Sequence, residues 1–297
     1  MRIFLLLLFS TSLFGLATTA MAADIEPTPE QLAFAATVAF GYEYTNFNEA
    51  EIDEGIIGNG GLLEGALLLR NLGASNFNAQ VDASYYLNDL SNFENDGSSV
   101  GEEGVGRSHF GGALFWRDET LGLIGIDAAL GQTKWNDDKI NYYRVGGRFE
   151  YYLGDYFTLG GRGGYIHEKE ASQLQGASGY YANAFARAYV LDSLALTASL
   201  DYAKFRHWDP AAPLTIKSFT GEAEFDLANS INVPVSVFAG GRYSDQDDGE
   251  AVFNEVQGFV GLKFYFGTDG TLSSKQRNNT IDNLNTPFDR IVNREGT

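Results

Sequence analysis

Residues 77–87 read Phe77-Asn78-Ala79-Gln80-Val81-Asp82-Ala83-Ser84-Tyr85-Tyr86-Leu87. Phe77, Ala79, Val81, Ala83, Tyr85 and Leu87 share one side of a two-residue period, while Asn78, Gln80, Asp82, Ser84 and Tyr86 share the other. Successive side chains of a strand point to opposite faces, so this stretch is a strand with one apolar and one polar face. The same period separates Leu194, Leu196, Ala198, Leu200 and Tyr202 from Ala195, Thr197, Ser199 and Asp201. It also separates Phe219, Gly221, Ala223, Phe225 and Leu227 from Thr220, Glu222, Glu224 and Asp226. Carboxylates on the polar face point to water on that side.

Working outward, the period predicts strands near 34–46, 61–71, 75–87, 106–116, 120–132, 140–153, 156–167, 180–191, 194–206, 215–228, 232–244 and 254–266. Leu62 to Leu69 is apolar on both faces except for Glu64, and as a helix or loop insert it would leave an odd strand count. Tight links at 71–74, 117–119, 154–155, 192–193 and 229–231 alternate with longer connections.

Composition narrows the fold. The chain has 35 Gly, 16 Tyr, 22 Phe and no Cys, so disulfides and thiolate metal sites are excluded. Its 39 acidic residues outnumber 20 basic ones, for a net charge of −19, which argues against nucleic acid as a partner because phosphate neutralisation needs clustered Lys and Arg. Met1-Arg2, the apolar stretch from Ile3 and the Ala20-Met21-Ala22 site read as a signal peptide over 1–22, which makes 23–33 a periplasmic N-terminal segment. Beyond it no apolar run approaches the ~20 residues a membrane helix needs. An exported, Cys-free, aromatic-rich chain of alternating strands is a soluble β-protein or a membrane barrel, and a barrel in lipid is apolar outside and polar inside.

Two observations select the barrel. If short turns lie at the periplasmic end, outward aromatics form two belts: Tyr42, Tyr44, Tyr85, Tyr143, Tyr165, Tyr180, Tyr202 and Tyr243 near the outer end, and Trp116, Tyr151, Phe157 and Phe266 near the inner end. Amphipathic rings prefer the headgroup level. Five of the six prolines lie in termini or loops, and Pro234 falls at a strand start where a missing N–H is tolerated. A secreted β-sandwich would bury the apolar stripes but gives no reason for the belts. The expected fold is therefore an all-β, transmembrane, antiparallel up-and-down barrel of twelve strands over 34–266, with both termini periplasmic and a polar, mostly disordered periplasmic tail over 267–297.

The last strand, Phe259-Val260-Gly261-Leu262-Lys263-Phe264-Tyr265-Phe266, resembles the C-terminal assembly signal of bacterial outer-membrane barrel proteins in Gly261, Phe264 and Phe266. It departs from that signal at Phe259, where a polar residue is usual, and in the tail that follows. The resemblance to porin-like outer-membrane barrels spans 34 to 266 at the level of pattern. It implies insertion by the barrel-assembly machinery into outer-membrane lipids and lipopolysaccharide, and it brings no catalytic motif or cofactor.

Function then rests on the inward charges. Arg144 and Arg148 on strand six, Arg162 on seven and Arg187 on eight form a basic wall beside Asp201 on nine and Glu222, Glu224 and Asp226 on ten. In an open lumen such walls select among small polar solutes, whereas in a closed one they form a salt-bridged plug. The expected function is a porin-like channel for passive diffusion of small hydrophilic solutes. The alternative is a structural or interaction barrel without an open pore, meeting partners through acidic loops at 49–54, 94–103, 137–138 and 245–250. Those acids lack EF-hand spacing and read as a solvated anionic face. The longest loop, about 88 to 105, folds inward as a constriction or stands outward. His109, His167 and His207 map near the outer rim; Ser108 and His109 point to opposite faces, and no third group can be named for His207 and Asp209, so no enzyme is expected.

Overall fold

The computed structural model describes residues 34–49, 55–72, 76–93, 99–135, 138–169, 178–206, 213–247 and 252–282. Twelve strands form a closed antiparallel barrel. They are β1 (Phe34–Glu49), β2 (Gly55–Leu69), β3 (Phe77–Phe93), β4 (Ser99–Asp118), β5 (Gly122–Trp135), β6 (Asp138–Leu153), β7 (Phe157–Glu168), β8 (Ser178–Leu191), β9 (Leu194–Arg206), β10 (Leu214–Asp226), β11 (Val235–Asp247) and β12 (Val252–Phe266). Each strand pairs with its neighbours in sequence, and β1 pairs with β12 from Ala36↔Phe266 to Glu49↔Phe253, so no sheet edge is left open. A short helix, α1 (Ala228–Ile231), lies between β10 and β11, and α2 (Leu272–Asn278) follows β12. The expected signal peptide and the segment 23–33 lie outside the described residues.

The two-residue period sorts the faces as the sequence requires. Ile124, Ile126 and Leu130 on β5 are 63%, 64% and 65% exposed, a degree of apolar exposure that suits lipid. Inward Asn78, Gln80, Asp82 and Tyr86 on β3 are buried. Tyr42, Tyr44, Tyr85, Tyr143, Tyr180, Tyr202 and Tyr243 are exposed on the outer surface, Tyr180 close to the start of β8 but Tyr42 and Tyr85 at the middle of their longer strands, and Tyr151 and Phe157 are exposed at the short-turn end. Tyr165 stacks edge-on against Tyr180 across β7 and β8, with centroids 5.5 Å apart.

Strand limits at the end bearing the longer connections, here the loop end, differ from the sequence expectation. β2 begins at Gly55 rather than 61, and β3 and β4 continue to Phe93 and from Ser99. The segment 88–105 is therefore mostly a paired hairpin, with Asn88↔Val105, Asp89↔Gly104 and Asn92↔Gly101 in register, and not a loop. Hydrophobic alternation marks only the part of a strand that faces lipid. Above the aromatic belt the outer face leaves lipid and need not be apolar, so the backbone ladder continues without a sequence pattern to reveal it. At the opposite, short-turn end, β10 stops at Asp226 and α1 occupies residues expected as strand end and link.

Candidate functional site

All eight charged residues singled out from the sequence lie on inward positions. Arg144, Arg148 and Arg162 are buried in the barrel wall, with Asp127 on β5 between the first two. Arg144 Nε lies 3.9 Å from Asp127 Oδ1, and Arg148 Nε lies 3.6 Å from Oδ2. Arg148 and Arg162 stand directly opposite each other on β6 and β7. Glu150, a partner considered for them, instead accepts from Tyr152 Oη at 3.3 Å. The Tyr181 ring carries Arg162 and Arg144 at 5.6 and 5.8 Å from its centroid. Gly146 makes room for this ring, since a Cβ there would collide with Tyr181 Oη.

The acids of β9 and β10 are engaged separately. Asp201 accepts from Asn183 Nδ2 at 2.8 Å and Ser218 Oγ at 3.2 Å. Glu224 accepts from Tyr265 Oη at 2.7 Å, and Glu222 is half-buried at the next inward position of β10. Arg187 Nε donates to Thr197 Oγ1 at 3.0 Å.

The tail changes the picture of the lumen most. An unstructured periplasmic extension was the expectation for 267–297, but residues 267–282 turn back and fill the short-turn end of the barrel. Gly267, with φ +75, starts the reversal. Thr271 caps α2 by accepting from Ser274 N. Lys275 Nζ meets Asp226 Oδ2 at 2.6 Å and Gln276 Nε2 donates to Glu224 Oε2 at 2.8 Å, while Arg277 donates to Thr158 Oγ1, Gly154 O and Phe157 O. Further along, Asn279 O accepts from Arg117, Thr280 meets Thr37, Gln80 exchanges two bonds with the Ile281 backbone, and Asp282 receives Arg187 at 2.7 Å and Lys263 at 2.5 Å. Burial by itself would raise the Asp282 carboxyl, but Lys263 and Arg187 outweigh it and hold the group well below the usual carboxylate range.

Two apolar anchors fix this segment. Leu272 packs with Tyr189, Ala195 and Tyr265, and Ile281 packs with Ala35, Leu68, Phe115 and Leu123 on another part of the wall. The tail thus spans the lumen, carrying the Lys275 ammonium and the Gln276 amide to the acids of β10 and a carboxylate to Arg187 and Lys263. Nearer the loop end, Tyr142, Ile166, Tyr181, Phe205, Leu214 and Ile216 form a second apolar layer inside the barrel. The charged arginine wall lies between these two constrictions.

Several inward polar residues escaped the sequence reading although their parity marks them. Asp127, Arg242 and Lys263 extend the charged lining to β5, β11 and β12. Asp82 on β3 faces His109 Nε2 at 3.2 Å, and His109 Nδ1 lies 3.2 Å from Tyr142 Oη. His109 is therefore inside the wall and not at the rim, and exposed Ser108 points the other way. His167 Nδ1 meets Ser178 Oγ at 2.5 Å, and His207 lies outside the described residues. Most of the expected acidic loops also lie outside them, and among the described residues no group of three or more His, Cys, Asp or Glu is placed to hold a metal ion.

No family model matches the chain, and no curated protein matches its sequence. Its fold does match solved structures. An outer-membrane channel from Pseudomonas putida F1 aligns with TM-score 0.60 and 13% identity, covering 82% of this chain and 98% of that one. The translocator domain of the autotransporter NalP from Neisseria meningitidis aligns with TM-score 0.50 and 12% identity, covering 86% and 95%. The β domain of a Bordetella autotransporter gives 0.51 and 10%, covering 78% and 100%. With a closed ring of twelve strands, an apolar exterior and a charged interior, the chain has the fold of bacterial outer-membrane β-barrel proteins.

Proposed function

We propose that this protein is an outer-membrane channel for small hydrophilic solutes, with its short-turn end and both termini on the periplasmic side and its docked tail narrowing the path. The observation that carries this reading is the state of buried polar atoms along the lumen. Arg162 is 4% exposed, yet none of its three guanidinium nitrogens has a hydrogen-bond partner in the protein, and Asn183 Oδ1, Ser236 Oγ and Ser244 Oγ are likewise without one. A dry plug would leave these groups desolvated at roughly 1–3 kcal/mol each, more for the guanidinium. A wet lumen removes that cost, and a hydrated, charged lining is what a path for small polar solutes requires. The likeness to the Pseudomonas putida channel supports the reading at the level of fold. Outer-membrane lipids and lipopolysaccharide would cover the apolar stripe, after insertion by the barrel-assembly machinery.

The docked tail favours a second reading, a sealed structural barrel whose loop end meets other envelope components. Planar-bilayer recording separates the two. The channel reading expects discrete ion conductance from the refolded full-length protein, increased in the variant Lys275→Met, which loosens the tail. Silence from both proteins, each shown to be folded by its heat-dependent gel migration, would leave the structural reading in place.

A further inference from the structure

We infer that the lumen holds a binding site for a small oxyanion, a dicarboxylate or a phosphate, built on Arg162 with Arg148 and Arg144 beside it. The solute class rests on the channel reading above, whereas the site itself stands on geometry.

Arg148 and Arg162 face each other across a strand pair, where like charges oppose folding. Asp127 lies in ion-pair distance of Arg144 and Arg148. Asp201 is occupied by Asn183 and Ser218. Arg162, buried and with no hydrogen-bond partner in the protein on any of its three nitrogens, presents five N–H donors in a planar fork that matches a carboxylate or phosphate two bonds at a time. The tail demonstrates the same chemistry one step away. Arg162 and Arg148 line a common space with Arg187 and Asp282, and Asp282 is itself a carboxylate delivered to Arg187 and Lys263. On the other side Arg148 and Arg144 line an adjoining space with Asp127 and His109. An oxyanion between these spaces would replace unpaired donors by charge-assisted bonds and offset the Arg148/Arg162 repulsion.

The test is direct binding, measured by titration calorimetry on the refolded full-length protein in non-ionic detergent at low salt. The probes are succinate and inorganic phosphate, with choline as a cationic control. Saturable heat from either oxyanion and none from choline is expected, with affinity falling at least about tenfold in Arg162→Gln and less in Arg162→Lys, which keeps the charge but loses the fork. Arg206→Gln, which removes an outward cation of β9, should bind as the parent does. Succinate alone identifies a dicarboxylate site and phosphate alone a phosphate site. The proposal is overturned if neither oxyanion saturates, if Arg162→Gln binds like the parent, or if Arg206→Gln weakens binding as much. Should Arg162→Gln fail to fold, Arg162→Lys carries the comparison, and unchanged affinity there again overturns it. Binding without bilayer current refutes the channel and keeps the site; current without binding does the reverse.

Discussion

Lys275→Met tests whether the tail supplies the counter-charge that Asp226 requires. Lys275 Nζ lies 2.6 Å from Asp226 Oδ2, and the two side chains are 5% and 2% exposed. Removing one member of a buried pair leaves the other charged and unpaired, at a cost of roughly 3–5 kcal/mol. That cost falls on docking of the tail, because Asp226 belongs to the wall and Lys275 to α2. In the double variant Asp226→Leu/Lys275→Met neither charge remains. The bond from Ala228 N to Asp226 Oδ1 at 3.0 Å, worth about 0.5–1.5 kcal/mol, is lost too, but it lies within the wall, and exchanging a buried pair for apolar side chains is often close to neutral. The assay is tryptic cleavage after Arg277 in the folded protein at pH 8. When undocking is fast relative to cutting, the rate follows the undocked fraction. At about 1.4 kcal/mol per tenfold, the single variant should be cut about 100- to 3,000-fold faster than the parent, and the double variant within about tenfold of it. A single variant cut at the parental rate, or a double variant cut as fast as the single, would refute the pairing argument.

Three further predictions test the faces, the anchor and the tail carboxylate. Ala198→Arg, outward on β9, should lower refolding stability by about 2–4 kcal/mol while inward Thr197→Arg costs far less; equal shifts in urea midpoint would place the β9 register wrongly. Leu272→Ala should weaken tail docking by about 2–5 kcal/mol, seen as faster hydrogen exchange of the α2 amides, while heat-dependent gel migration of the barrel stays unchanged; unaltered exchange would remove Leu272 as an anchor. Because Asp282 is held below its unfolded value, its contribution is complete above the ordinary carboxylate range and is lost as pH falls beneath it. Tail protection from an acid-active protease should therefore be flat from neutral pH to about 4 and decline below, and Asp282→Asn should abolish this group's share of the decline; an unchanged profile in that variant would assign the acid response elsewhere.

The lipid-facing body of the barrel was legible because each strand repeats its own evidence: Val81, Leu87, Leu200 and Phe219 obey a local rule that needs no knowledge of neighbours. The inward parity of Arg144, Arg148, Arg162, Arg187, Asp201, Glu222, Glu224 and Asp226 followed from that same rule. Their partners did not, because pairing such as Arg148 with Asp127 depends on the register between strands. The upper hairpin of β3 and β4 was hidden since the outer face carries no apolar stripe where it leaves lipid. The tail was hidden for a different reason. Many of its polar bonds reach far along the chain, as Arg277 does to Thr158, and α2 is too short to display a helical period. A trace existed in Leu272 and Ile281, isolated apolar residues in a polar stretch, with Thr271 in front as a cap.

The route of the tail has a consequence for assembly. Its anchoring points include Thr37 on the first strand and Lys263 and the Phe266 carbonyl on the last. In an open sheet of twelve strands spaced about 4.8 Å apart, those two edges would be on the order of 50 Å from each other, far more than the short stretch Asn279 to Asp282 can bridge. The docking site for the tail does not exist until the cylinder has sealed. A docked tail therefore works as a latch that engages only after the first and last strands have met, and the moment at which Arg277 becomes resistant to protease during refolding dates the closing of the seam.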